Sequence, residues 1–150
     1  MRNLLTMNSR MFSAGFNYSA AGNPKVFMNV SKDGNAAGKL VFELYENHAP
    51  NLATNFAAFC AGTASSHRGF AGSSLCGGTT GLGVHGGHLE GKSMKNGGEN
   101  LGHNDERLQD ENLHLRHHKR GIVSMTNDGP HSNGSQFMVT FGEAHYLDGY

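Results

Sequence analysis

The histidines are the first candidates in this chain for binding a metal. The sequence holds 10 His among 150 residues, and His85 and His88 lie close together with Cys76 upstream. Imidazole and thiolate are the ligands that Zn²⁺ prefers, and two His at i and i+3 on a helix can share a metal. Gly86 and Gly87 separate this pair and disfavour a helix there. The pattern therefore predicts a histidine-rich polar loop with no bound metal.

Other cofactor and nucleic-acid signals are weak. Gly accounts for 22 residues, but neither a Walker A pattern nor a dinucleotide fingerprint after a strand occurs. The His-His-Lys-Arg cluster at 117–120 is too short to indicate nucleic-acid binding and is more typical of a solvated turn. The formal net charge is +0, so no global field draws the chain to nucleic acid or to an anionic membrane. We expect no cofactor and no nucleic-acid partner.

The run from Gly121 to Phe137 carries the densest turn chemistry. An apolar stretch, Ile122 to Met125, enters a cluster of Gly-Pro and Asn-Gly pairs, and a second stretch, Gln136 to Phe141, leaves it. Gly, Pro and Asn each favour tight turns, and short β-rich runs on either side predict strands. The run therefore predicts two strands joined by a closely defined loop.

Upstream, a hairpin and a helix must support this loop. The β-rich runs 26–30 and 39–45 are separated by turn residues at 33–35 and predict an antiparallel hairpin. After Pro50 the hydrophobic period changes to that of a helix, with Gly62 where a C-cap falls. The predicted helical face is made of Leu52, Phe56 and Phe59. Residues 111–115 alternate in polarity and predict one more short strand.

The N-terminal arm, residues 1–22, differs in composition from the single domain that we assign to residues 23–150. The arm contains Arg, Ser and Asn but neither Asp nor Glu. Such a composition is typical of a mitochondrial transit peptide, although a disordered tail would look similar. No apolar run approaches the roughly 20 residues that span a bilayer. We expect a mitochondrial protein without a transmembrane segment.

From about Asn23 to Tyr150 the order of motifs resembles that of the cyclophilins, the cyclosporin-binding peptidyl-prolyl isomerases. The matching segments are 23–27 and 38–44 as strands, 49–56 as the first helix, 110–113 as the family's Asp-Glu-Asn-Phe segment, and 121–137 as its central signature. The resemblance implies a mainly β fold with helices, a cyclophilin-like antiparallel β-barrel with an outer peptide groove. Because the chain stops before the family's last strands and second helix, we expect that barrel to be incomplete at the C-terminus.

The resemblance also exposes departures at the family's catalytic positions. Gly77 stands where the family has its catalytic arginine, and Leu82 and Gly83 replace the apolar pair that floors the proline pocket. His85 replaces a glutamine and His88 an acid. A guanidinium beside the prolyl nitrogen weakens amide resonance, whose barrier is about 18–20 kcal/mol, and acts mainly in the twisted state. Gly77 cannot do so, and the resemblance therefore implies an impaired enzyme with no catalytic residue.

The positions that the resemblance assigns to the opposite wall of the groove keep more of the family's pattern. By resemblance the groove positions are Thr126, Asn127, Gln136, Met138, Tyr146 and Leu147, with His85 and Leu82 on the altered wall. The amides of Asn127 and Gln136 can hold a peptide backbone, and Met138 makes a softer pocket than the family's usual Phe. Ordinary structural roles also fit, since Asn is common in turns and Met in cores. The hypothesis is a residual, weakened groove.

Three functions stay open. The preferred one is a catalytically impaired cyclophilin-like domain serving as a structural or accessory subunit, among other protein subunits, of a large mitochondrial assembly such as a respiratory complex, ATP synthase or mitoribosome. The second is an active prolyl isomerase that assists folding, which needs a different register through 74–84 or a cation such as Arg68, Lys92 or Lys95. The third is a non-catalytic module that binds Xaa-Pro peptide segments.

Overall fold

The fold consists of two antiparallel sheets and a helix. The computed structural model describes residues 18–64, 69–77, 81–89, 102–104 and 106–150. The elements are β1 (Lys25–Lys32), β2 (Asn35–Glu43), α1 (Pro50–Ala61), β3 (Cys76–Gly77), β4 (Gly83–Gly86), β5 (Val123–Met125), β6 (Phe137–Thr140) and a 3₁₀ turn (His145–Leu147). One sheet pairs β1 with β2, and the other has the order β3-β4-β6-β5. The predicted mainly β, antiparallel architecture is confirmed. Within the described ranges, no helix has the length and apolar character that crossing a bilayer needs.

The predicted hairpin is confirmed, with β1 longer than its predicted run at both ends. β2 begins at Asn35, before its predicted run 39–45, and ends at Glu43, two residues before the end of that run. Asp33 and Gly34 have φ values of 53° and 79°, and two consecutive positive φ angles match the right-handed twist of the flanking strands. The register pairs Lys32 with Asn35 and shifts between Val30 and Ser31. A register shift of this kind is typical of a β-bulge, which bends the strand and increases its twist.

The predicted helix is confirmed at both ends. α1 has Pro50 in its first turn, and Gly62 ends it with φ 70° while its N–H reaches the carbonyls of Ala58 and Phe59. A left-handed C-cap of this kind favours glycine because no Cβ is in the way. The buried face of the helix consists of Ala53, Asn55, Phe56 and Phe59.

Five phenylalanine rings join the hairpin, the helix and the larger sheet. Phe56 lies 5.6 Å from Phe42 of β2 and 5.2 Å from Phe137 of β6, measured between ring centroids. Phe70 lies 5.3 Å from Phe59 and 5.1 Å from Phe137. Three of these four pairs are edge-to-face and the Phe59–Phe70 pair is tilted. Aromatic pairs at this spacing contribute about 0.5–1.5 kcal/mol each beyond simple burial. This cluster is the core on which β4 and β6 rest.

The strand predicted at 111–115 is wrong, because the segment is irregular. Its polar side chains form hydrogen bonds that compete with a strand ladder. The Asn112 Oδ1 atom accepts the backbone N–H groups of His114 and Leu115 at 2.9 and 3.3 Å. The Glu111 carboxylate reaches the start of α1 and accepts the backbone N–H of Asn51 at 3.0 Å. The alternating pattern therefore reflects capping and turn formation.

The prediction of a solvated basic turn at 117–120 is right for its last two residues and wrong for its first two. Lys119 and Arg120 are exposed, but His117 and His118 are only 8% and 7% exposed. The ring of His118 packs edge-on against Tyr18 at a centroid distance of 5.6 Å. Both histidines therefore belong to the folded body of the chain, not to its solvated surface.

Residues 18–23 are fastened to the end of β2. The Glu43 carboxylate accepts hydrogen bonds from Ser19 Oγ at 2.7 Å, from the backbone N–H of Ala20 at 3.1 Å and from Asn23 Nδ2 at 2.9 Å. Burial raises the pKa of Glu43, but the bonds from Asn23 and Ser19 outweigh it, and the pKa lies below its usual value. Residues 1–17 of the predicted arm lie outside the described ranges, and its targeting role stays a prediction.

Candidate functional site

The centre of the candidate site is a row of four side chains across the larger sheet. Cys76 pairs with His85, His85 with Met138, and Met138 with Ser124. Directly opposed residues project from the same face of a sheet and place their Cβ atoms about 4.5–5.5 Å apart. The predicted groove residues His85 and Met138 are thus neighbours. Sequence reasoning named Cys76 only as a candidate metal ligand and missed Ser124, although strand alternation around His85 and Met138 was a usable signal.

His85 is the member of this row whose pKa is shifted from its usual value. Burial lowers the pKa of its imidazole, and the nearby His88 lowers the pKa further. The ring is consequently neutral near pH 7, when one ring nitrogen donates a hydrogen bond and the other accepts one. A neutral imidazole can therefore contact a peptide amide from the position where the resemblance expects a glutamine.

Gly83 is one of the two positions that the resemblance assigns to the floor of a proline pocket. Met138 is 4% exposed. A Cβ added at Gly83 would collide with the Val139 carbonyl and lie 3.1 Å from Met138 Cγ. The backbones approach so closely here that no side chain fits at Gly83 without a shift. Leu82 is half-buried, and its carbonyl accepts the N–H of Phe141 at 2.9 Å.

Gly77, at the catalytic arginine's position, is the last residue of β3 and is exposed. A Cβ added there would meet no atom within 4 Å. The missing side chain therefore reflects the residue type and not a lack of room. Arg68, Lys92 and Lys95, the alternative cations, lie outside the described residues.

Thr126, Asn127 and Gln136 lie where the signature loop joins its strands. The N–H of Thr126 donates to the Gln136 carbonyl at 3.0 Å and extends the pairing of β5 with β6. Asn127 donates from Nδ2 to Asn133 Oδ1 at 3.3 Å, and its own Oδ1 accepts the N–H of Gly129 at 3.3 Å. One amide hydrogen and one lone pair of Asn127 are left for a ligand. The turn role and a groove role are therefore compatible at Asn127.

The signature loop is fastened from behind by two side chains that the sequence did not single out. Asn55 of α1 is fully buried, donates to the Gly134 carbonyl at 2.7 Å and accepts the N–H of His103 at 2.7 Å. Asp110 accepts Asn133 Nδ2 at 2.7 Å and the N–H of His131 at 3.0 Å. Burial raises the pKa of Asp110, but these hydrogen bonds and the charge of His131 lower the pKa below its usual value. The matching segments 49–56 and 110–113, which contain Asn55 and Asp110, were the available signal.

Tyr146 and Leu147 lie on the 3₁₀ turn that follows β6. Tyr146 is 67% exposed, Leu147 is half-buried, and the N–H of Leu147 donates to the Ala144 carbonyl at 2.9 Å. An exposed tyrosine offers an apolar ring with a polar tip, which suits peptide contacts. These two predicted groove residues are therefore placed by a turn, whereas Leu82, His85 and Met138 are placed on or beside strands.

A metal centre and a cavity are the other candidate sites. Among the described residues, no group of three His, Cys, Asp or Glu is placed to hold a metal. A cavity of about 460 Å³ lies between the hairpin, α1 and the stretch 110–125, lined by apolar residues such as Phe42 and by polar ones such as Glu111. Its lining includes Ser124 of the row and Asn127, but none of the other predicted groove residues. The cavity therefore borders the predicted groove without coinciding with it.

Comparison with known proteins agrees with this geometry. Residues 27–150 match the model of the family described as "Cyclophilin type peptidyl-prolyl cis-trans isomerase/CLD". A curated bovine (Bos taurus) relative, named "Probable inactive peptidyl-prolyl cis-trans isomerase-like 6", is 38% identical over 132 residues, which cover 82% of this chain. The chain spans 41% of the length of that relative. On the family match and this relative, the chain belongs to the cyclophilin-type peptidyl-prolyl cis-trans isomerases.

Proposed function

We propose that this chain is an isomerase-impaired cyclophilin domain that works through protein contacts, as an accessory subunit of a larger assembly. The observation that carries the proposal is the combination of Gly77 and Gly83. Gly77 itself supplies no guanidinium for a prolyl nitrogen. At Gly83 the neighbouring backbone leaves no room for a floor side chain. Transition-state stabilisation and substrate seating are thus weakened together.

The name of the bovine relative supports the loss of isomerase activity, since it describes that protein as a probable inactive isomerase. A domain that no longer turns over substrate can keep a preformed surface for protein contacts. The hydrogen bonds of Asn55 and Asp110 hold the signature loop in one conformation. A preorganised loop reduces the entropy lost on binding.

A prolyl isomerase assay on the purified chain tests the proposal. With the wild-type protein, we expect the cis–trans isomerisation rate of an Xaa-Pro peptide to stay at the uncatalysed level. Gly77→Arg should not restore turnover, because the floor at Gly83 is still missing. Gly142→Arg is a matched control, since a Cβ at Gly142 also meets no atom within 4 Å. Clear acceleration by the wild type would overturn the proposal and favour a different register through 74–84 or a cation supplied from elsewhere.

A second candidate function is a binding module for Xaa-Pro segments, favoured by the exposed ring of Tyr146 and the neutral His85. NMR titration with a short Xaa-Pro peptide tests it. We expect shifts at Thr126, Gln136 and Tyr146, and weaker binding for Gln136→Ala. The control is an analogue of the same peptide that lacks the proline. Absence of shifts at millimolar peptide would reject the binding module and leave the accessory subunit without a groove ligand.

The mitochondrial location is part of the first proposal and depends on the composition of residues 1–22. A fusion of these residues to a fluorescent protein should reach mitochondria, and substituting its two arginines by glutamate should abolish this. Native mass determination from mitochondria should then find the chain in a complex. A cytosolic fusion or a free monomer would each reject that part of the proposal.

A further inference from the structure

The turn that carries Tyr146 and Leu147 cannot hold its own shape. It consists of three residues, His145–Leu147, and no side chain caps its N-terminus. A single 3₁₀ turn has poor hydrogen-bond geometry and forms only when tertiary contacts stabilise it. Some other part of the chain must therefore determine where the two groove residues lie.

Asp148 supplies these contacts directly after the turn. Its Oδ1 atom accepts the backbone N–H of His117 at 2.7 Å and contacts the Nδ1 atom of the same residue at 2.9 Å. Its Oδ2 atom lies 3.2 Å from His145 Nδ1 and 3.5 Å from Arg116 Nη1. The N–H of Ala144 also donates to the His117 carbonyl at 2.8 Å. The turn is thus tied at both of its ends to residues 116 and 117.

The carboxylate is well placed to act as a clamp. Its side chain is 11% exposed, so solvent screens its hydrogen bonds less than those of a surface ion pair. Burial raises the pKa of Asp148, but the hydrogen bonds from His117 and His145 and the charge of His117 lower it to about 2. An ionised carboxylate only accepts hydrogen bonds, so the Nδ1 atom of His117 is the donor in this contact. The clamp is therefore charged and directional.

We infer that Asp148 is a positioning residue of the groove, which holds Tyr146 and Leu147 against an Xaa-Pro peptide by clamping their turn to His117. The inference rests on the proposed peptide binding. It adds that one face of the groove is placed by a carboxylate that does not touch the peptide.

The experiment compares Asp148→Asn with the control Glu143→Gln. Glu143 also neighbours His145, but its contact is 3.8 Å and its side chain is 71% exposed. For each protein we would measure the affinity for an Xaa-Pro peptide and the hydrogen exchange of the Leu147 and Asp148 amides. Hydrogen bonds to charged groups contribute about 1.5–3 kcal/mol, so we expect Asp148→Asn to weaken peptide binding at least about tenfold. Exchange at Leu147 should accelerate by a similar factor, while Glu143→Gln behaves as the wild type.

The other possible results of this experiment also bear on the inference. Weaker binding with unchanged exchange would overturn the inference, because Asp148 would then contact the peptide itself. Faster exchange with unchanged binding would overturn it as well, since the turn would not matter to the groove. Uniformly faster exchange across α1 and the hairpin would indicate a general structural role, which also overturns it. If the wild type binds no peptide, the proposed binding fails, yet faster exchange confined to Leu147 and Asp148 in Asp148→Asn still supports the clamp.

Discussion

Glu111 caps the first turn of α1 from a position 60 residues further along the chain. Its Oε1 atom accepts the backbone N–H of Asn51 at 3.0 Å, and its Oε2 atom accepts that of Leu52 at 2.7 Å. The residue that precedes the helix, Ala49, makes no side-chain cap. A helix N-terminus presents unpaired N–H groups and partial positive charge, which a carboxylate satisfies. The acidic segment at 110–113 thus holds the helix as well as the signature loop.

Replacing Glu111 by Ala should destabilise the protein by about 1–2 kcal/mol, as expected for a lost helix cap with charge. Glu111→Gln should cost less, because the amide keeps one acceptor. Urea denaturation measures the free energy of unfolding, and Glu46→Ala, at an exposed position, is the control. Equal midpoints for Glu111→Ala and the control would show that the cap contributes nothing.

Gly83→Ala should destabilise the protein by about 2 kcal/mol or more, because its Cβ meets the backbone of β6. Thermal unfolding would measure the loss. The matched control is Gly142→Ala, where a Cβ meets no atom within 4 Å. If both variants unfold at the wild-type temperature, the close approach of β4 and β6 is not as described.

Asn55→Ala should cost about 2–4 kcal/mol, because it leaves the Gly134 carbonyl and the His103 N–H without their buried partner. Local loosening should follow at the signature loop, visible as faster amide exchange near Gly134. Thr54→Ala changes the exposed neighbour on the same helix and serves as the control. A stable variant with a rigid loop would contradict this role of Asn55.

Acid should unfold the protein partly through Asp148. Its pKa is about 2 in the folded chain against an ordinary 3.8, so the folded state binds fewer protons than the unfolded state. The stabilisation is complete above about pH 5 and is lost as the pH falls through 3.8 toward 2. With allowance for solvent screening we expect about 1–2 kcal/mol from this group.

The measurement is the free energy of unfolding of the wild type and Asp148→Asn between pH 7 and pH 2. The two curves should differ most at neutral pH and converge in acid. The lowered pKa values of Glu43 and Asp110 act in the same direction in both proteins. Parallel curves would show that Asp148 titrates normally in the folded state.

The sequence by itself determined the elements whose causes are local. The turn at Asp33 and Gly34, the start of α1 at Pro50 and its end at Gly62 follow from backbone preferences of single residues. Strand pairing on either side of the signature loop follows from its turn residues. The motif order was also sufficient to identify the family, since each motif is contiguous in the chain.

Only the tertiary structure decided which distant side chains meet. The hydrogen bond from His117 to Asp148 joins residues 31 positions apart, and the one from Leu52 to Glu111 joins residues 59 positions apart. The same holds for the cross-strand pairing of Cys76, His85 and Met138. Polarity patterns report which side chains prefer water, but a buried histidine depends on a partner that the fold brings to it. For this reason the sequence pattern predicted that residues 117–118 are solvated and that residues 111–115 form a strand. Local conformation is set by neighbours along the chain, whereas partners are set by the register and packing of the sheets.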